Sequence, residues 1–265
     1  MEKLSDLSIS GVGKTPGGKF RDVDISGLGK VLGDVEAERV VISGKGTIEG
    51  NAVVTRKMEI SGMGTITGNV TGGEISSSGT GAIDGLVDVQ MVESSGNLRV
   101  SGEAKIKELF CSGRCRFDKS LKGEKVTSHG LLSAGGDVEV EEFHAQGSFS
   151  VDGLLNAHHI DVEIHGYCQA KEIGGEDIRV RSGKYISASI LAKLINPFLG
   201  TGRQLDKLTA NLIEGTNVSL EYTSAKIVRG NKVIIGPNCT IDLVEYTDSL
   251  EVNPRAQVAN QSKLD

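Results

Sequence analysis

The chain has no tryptophan, 4 prolines, 4% aromatic residues and no long apolar run. Apolar content of 38% is too low for a membrane protein, and no stretch approaches the roughly 20 apolar residues that span a bilayer. Scarce proline beside 36 glycines excludes a collagen-like chain or a proline-rich linker. No basic excess exists either: the net charge is −6, which argues against wholesale nucleic-acid binding, since that needs a cationic face to displace counterions. Residues 1–20 are polar and glycine-rich, without the apolar core of a signal peptide. With four cysteines (Cys111, Cys115, Cys168, Cys239), this predicts a soluble chain in a reducing, cytoplasmic setting.

What the chain does have is a repeated phrase. Ile42-Ser43-Gly44-Lys45-Gly46-Thr47-Ile48-Glu49-Gly50 returns as Ile60-Ser61-Gly62-Met63-Gly64-Thr65-Ile66-Thr67-Gly68. Anchored on its first glycine, the phrase recurs at Gly27, Gly44, Gly62, Gly79, Gly96, Gly113, Gly130, Gly147, Gly166 and Gly183, with a weaker copy at Gly11. The spacing is 17 residues with two exceptions, 18 and 19. Around each anchor, apolar residues alternate with period two, as in strands rather than helices. A unit of this length is too short for a βαβ element or a propeller blade. It suits one coil of a parallel β-helix, with like residues stacked in ladders about 4.8 Å apart.

The inward slots are complementary. Two before the anchor stand Ile25, Ile42 and Ile60, then Ser77, Ser94, Cys111, Ser128 and Ala145; two after stand Gly29, Gly46, Gly64 and Gly81, then Leu98, Cys115, Leu132 and Phe149. A large residue in one slot mostly meets a small one in the other, as a core of fixed cross-section requires. Ser77 with Gly81 breaks the pattern and predicts a loosely packed coil.

The register fades from Ile178. Residues 178–205 carry Arg179, Arg181, Lys184, Lys193 and Arg203 and no acid. Ile186, Ile190, Leu191, Leu194 and Ile195 have helical spacing. The expected organisation is therefore β-helix repeats over 1–183, a basic amphipathic helix-and-loop insertion over 184–207, further coils over 208–252 and a frayed polar tail over 253–265. Arg179, Arg181, Lys184, Ile190, Lys193, Leu194, Phe198 and Arg203 are the candidates for contact with an anionic membrane surface or an acidic partner.

No catalytic cluster, cofactor site, metal site or nucleotide site is expected. Cys111 and Cys115 occupy inward slots, and Cys168 shares the slot of Cys115, so all three read as small core residues rather than zinc ligands. The five histidines (His129, His144, His158, His159, His165) are scattered and read as surface residues. Carboxylates such as Glu139, Glu141 and Glu142 follow outward parity beside lysine and arginine rows. The Gly-x-Gly repeats do not open helices, so they are not phosphate-binding loops.

The Ser-Gly-x-Gly phrase, the 17-residue period and the missing catalytic cluster resemble the bactofilin family of bacterial cytoskeletal proteins over about residues 23–183. The stretch EGTNVSLEYTSAKIVRGNKVIIGPNCTIDLVEY resembles the tail of longer Gram-positive members. The resemblance implies an all-β, right-handed parallel β-helix that polymerises end to end into nonpolar filaments without nucleotide. It also implies a scaffold for membrane-associated machinery in cell shape, envelope growth or motility, cytoplasmic or peripheral at the inner face of the cell membrane. The chain departs from the family in its length, about twice the common core, in lacking proline-rich flanks, and in its insertion. A parallel β-helix without caps also has a physical motive to associate, because its end coils leave backbone groups and apolar cross-sections uncovered. Leu7 and Ile9 at one end, with Ile241, Leu243, Val244 and Tyr246 at the other, are the candidate assembly faces.

Rival readings remain. The segment VIIGPNCTI suggests a left-handed hexapeptide-repeat acyltransferase, but such coils are 18 residues long, and no histidine follows His165 to act as base. A secreted carbohydrate-active β-helix lacks its signal peptide and carboxylate cluster here. A β-helix adaptor that binds along its charged faces without polymerising fits as well.

Overall fold

The computed structural model of the protein describes residues 4–183 and 207–265. Among these, every regular element is a strand: twenty strands join one continuous sheet in which neighbours pair in parallel. The chain winds into a parallel β-solenoid of about 14 turns, roughly 17 residues apart.

The ladders follow the sequence register. Ile25 stacks on Ile42 and Ile42 on Ile60, then the column continues through Ser77, Ser94, Cys111 and Ser128 to Ala145. The facing column runs Gly29, Gly46, Gly64, Gly81, Leu98, Cys115, Leu132 and Phe149. Their complementarity is steric. A Cβ on Gly46 would lie 2.9 Å from Ile42 Cγ2, and one on Gly64 would lie 3.1 Å from Ile60 Cγ2. The isoleucines fill the space these glycines leave, and each buried side chain is worth about 2 kcal/mol in removed apolar surface. At Ser77 and Gly81 the expected looseness is absent. Leu98 Cδ1 and Ile60 Cδ1, from the coils on either side, reach to 3.0 and 3.2 Å of the position a Gly81 Cβ would take.

The first glycine of each phrase sits at a corner. A Cβ on Gly44, Gly79 or Gly96 would come within 2.2 Å of a carbonyl oxygen one coil away. The corner backbones therefore stack too closely for any side chain. At a second corner, side chains bridge the coils: Asp34 Oδ1 accepts from the Asn51 amide N–H (2.7 Å), Asn51 Oδ1 from that of Asn69 (2.9 Å), and Asn69 Oδ1 from that of Leu86 (2.9 Å).

After Gly183 the next described residue is Lys207, which stacks on Tyr167, so the coil Lys207–Leu220 continues directly from Tyr167–Val180. The helix expected within 184–207 lies outside the described residues. The later coils are shorter at first: Leu208 stacks on Thr223, and Ala225 on Ile241. Residues 253–265 correct the expectation of a frayed tail. Gln257–Lys263 forms a strand paired along Thr240–Tyr246, with the Gln257 amide donating to the Cys239 carbonyl at 2.9 Å. Backbone pairing on an open sheet edge orders this segment, although its side chains are mostly polar.

Candidate assembly interface

The two ends of the solenoid differ in chemistry. At the first, Leu7–Ile9 pairs with Val23–Ile25 on one side, and among the described residues nothing pairs with its other edge. Ile9 closes the core at 9% exposure, while Leu7 and Phe20 are half-buried against it. This end presents an apolar cross-section and an unpaired backbone edge together.

At the other end, the candidates lie one coil inside. Ile241 and Val244 are buried, at 1% and 0% exposure, and Leu243 and Tyr246 are half-buried. The terminal strand covers them, placing Val258 over Ile241, Asn260 over Leu243, Gln261 over Val244 and Lys263 over Tyr246. The end surface is thus largely amide and ammonium. Sequence reasoning missed this strand by weighing polarity over spacing. Ile241 to Val258 is again a step of 17.

The charged faces are ladders of ion pairs. Lys125 meets Glu142 at 2.7 Å, Lys122 meets Glu139 at 3.0 Å, and Asp118 holds Arg99 at 2.6 Å and Arg116 at 2.7 Å. Hydrogen bonds from Arg116 and then Arg99 keep the Asp118 carboxyl below its ordinary range. Histidines pair outward: His158 with Glu141 at 2.6 Å, His159 with Asp177 at 3.2 Å and His165 with Glu163 at 2.8 Å. His129 packs edge-on against Phe110 with ring centroids 5.3 Å apart. Among the described residues, no group of three or more His, Cys, Asp and Glu is placed to hold a metal ion.

All four cysteines are buried, at 1% exposure or less, and none is bonded to another. The contact with Cys111 and burial push the Cys115 thiol far up, and burial pushes that of Cys239 up. Buried thiols raised in this way pack rather than react, whereas the hydrogen bond with Cys115 lowers the Cys111 thiol. A groove of about 650 Å³ crosses a corner between Leu154, Glu172, Leu212 and Leu264. Its one arginine, Arg229, is already held between Glu214 and Glu245, at 2.9 and 2.8 Å.

Of the basic candidates, Arg179 and Arg181 lie on the strand Val138–Ser182, and Arg181 is bound to Asp161 at 2.7 Å. Lys184, Ile190, Lys193, Leu194, Phe198 and Arg203 lie outside the described residues. Among those described, no helix is long and apolar enough to cross a membrane.

Two curated proteins of Bacillus subtilis (strain 168) are similar to this chain. Uncharacterized protein YhbE is 39% identical over 115 residues, 43% of this chain and 44% of its own. Uncharacterized protein YhbF is 38% identical over 113 residues, 42% of each chain. The chain thus spans less than half the length of these relatives. No family model and no solved structure matches it. The likeness to YhbE and YhbF carries relatedness over part of the solenoid and no activity.

Proposed function

We propose that this chain is a non-enzymatic scaffold of the bactofilin kind, joining end to end without nucleotide and organising membrane-associated machinery from the cytoplasmic side. The observation that supports this most is the first coil, where Leu7, Ile9 and Phe20 line an apolar cross-section beside a backbone edge that has no partner among the described residues. A second copy set against that edge completes the ladder and buries the side chains. The opposite end, edged by Gln257, Asn260 and Gln261, offers backbone and amide hydrogen bonds with little apolar area. The joint at Leu7 and Ile9 is accordingly the tighter of the two.

Electron microscopy of the purified protein without nucleotide tests the reading, alongside sedimentation over a concentration series. Filaments or end-joined pairs are expected, and Leu7→Lys with Ile9→Glu should return them to single solenoids. A wild-type protein that stays monomeric at high concentration overturns the assembly. The adaptor reading then gains, and binding of an acyl-coenzyme A would favour the acyltransferase reading instead.

A further inference from the structure

One coil fills the core differently from the two beside it. Cys111 stacks between Ser94 and Ser128 in one inward column, and Cys115 between Leu98 and Leu132 in the other. All six residues are buried. The neighbouring coils set a small serine against a large leucine, and the same pair would have filled this coil. Packing alone therefore does not call for two thiols facing each other across the corner. The slots are close together. In equivalent coils a Cβ on Gly46 would lie 2.9 Å from Ile42 Cγ2, and one on Gly81 would lie 3.5 Å from Ser77 Oγ. The Cys111 and Cys115 thiols are accordingly hydrogen-bonded to each other.

The surroundings of the pair are polar in a core that is otherwise alkyl. Neither Ser94 Oγ nor Ser128 Oγ has a hydrogen-bond partner. Size does not explain these hydroxyls, because Ala145 holds the same slot opposite Phe149. Ser94 lies beside Cys115 and Ser128 beside Cys111, each placed to favour the thiolate form. Ser77, the third orphaned hydroxyl, lies one coil beyond Ser94 and takes no part. The carbonyl oxygens of Gly113 and Leu131 stand 3.7 and 3.8 Å from Cys111 Sγ. Donors suited to two thiolates and dipoles suited to a cation thus meet at one place.

We propose that Cys111 and Cys115 bind one soft monovalent metal ion, Cu(I), in linear coordination inside the solenoid. Each thiol gives up its proton to solvent, and the ion takes its place between the two sulfurs as a bis-thiolate of charge −1. No electron is transferred. Thiolate ligands select Cu(I), and two of them complete its shell. Zinc takes four ligands, and among the described residues no third His, Cys, Asp or Glu joins the pair. The hydroxyls of Ser94 and Ser128 donate to the thiolates and disperse their charge. Because both sulfurs are buried, the ion enters as the coil folds, and its binding then clamps the corner. A disulfide is the competing fate of the pair, but it would leave both hydroxyls without a role. The inference does not depend on assembly, since one solenoid carries the whole site.

Refolding the full chain from urea without oxygen, with Cu(I) supplied on the chelator bicinchoninate, tests the site. One copper per chain should survive desalting, and X-ray absorption should show sulfur neighbours alone in a linear arrangement. The loaded protein should melt at a higher temperature than the metal-free one. Cys111→Ser with Cys115→Leu copies the coils on either side, so this variant should fold with an unchanged circular dichroism spectrum and retain no copper. Cys168→Ala with Cys239→Ala should retain it. Ser94→Ala with Ser128→Ala should fold and lose about tenfold or more in copper affinity. A wild type that surrenders all its copper to the chelator overturns the proposal. So does copper retained by the Cys111/Cys115 variant, coordination by three or more ligands, or conversion of the pair to a disulfide in place of uptake. Filament formation is scored on metal-free protein, so the scaffold reading stands or falls separately.

Discussion

A Cβ placed on Gly62 would stand 2.1 Å from the carbonyl oxygen of Gly44, one coil away. No rotamer relieves that overlap, because both partners are backbone and the corner hydrogen bonds hold them. The Met63 amide donates to that same carbonyl at 2.8 Å. The glycine is needed for closeness of approach, since its φ lies outside the left-handed region.

Gly62→Ala should therefore destabilise the solenoid by about 3 kcal/mol or more, by forcing adjacent coils apart. Gly11→Ala is the matched control. It occupies the same place in the phrase, but a Cβ there meets nothing within 4 Å, and the change should stay within about 0.5 kcal/mol. Urea unfolding of the two variants against wild type measures both. Equal effects would mean that the conformational freedom of glycine, and not stacking distance, is what the corner requires.

Ser77 is 1% exposed and its Oγ has no hydrogen-bond partner. Burying an unpartnered hydroxyl costs stability that an alanine methyl does not. Ser77→Ala should raise stability by about 0.5–1 kcal/mol, read as a higher melting temperature. Ser94→Ile should do the opposite. It faces Leu98 across the corner, and the added methylenes overpack the coil by about 1–3 kcal/mol. A stabilised Ser94→Ile protein would contradict the inward placement of both residues.

Asp118 joins Arg99 and Arg116, which stack on each other and would otherwise repel. Its folded pKa is depressed below the ordinary 3.8. A carboxylate of this kind contributes stability above the unfolded value and loses it as pH falls through the folded one. Asp118→Asn should thus lower the melting temperature near neutral pH and flatten its decline below about 3.8. Because the triad is at the surface, the neutral-pH loss should be about 1 kcal/mol or less. A melting curve with the same acid slope as wild type would place the acid sensitivity elsewhere.

Much of the fold was legible because a solenoid writes its contacts at a constant offset. Residues 17 or 18 apart touch, so Ile25, Ile42 and Ile60, or Lys125 and Glu142, could be matched by counting. Inward and outward sides followed from period-two alternation, which hydropathy records. The two ends of the described solenoid were half legible. Leu7 and Ile9 lie at an end as their position implied, whereas Ile241 and Val244 are covered by a strand whose side chains are mostly polar.

That strand marks the limit of hydropathy. Gln257–Lys263 is ordered by amide and carbonyl groups on an open edge, and backbone groups are the same whatever side chains they carry. Outward rows across coils have a similar origin. Val12, Leu28, Lys45 and Met63 are unremarkable at their separate places in the chain and become a row only when four coils are stacked. Composition and periodicity were enough to specify a repeating parallel solenoid, because its core contacts recur at a fixed spacing. Which end is apolar, which is polar, and which outward residues share a face depended on how coils of unequal length came into register, and that is a property of three-dimensional stacking.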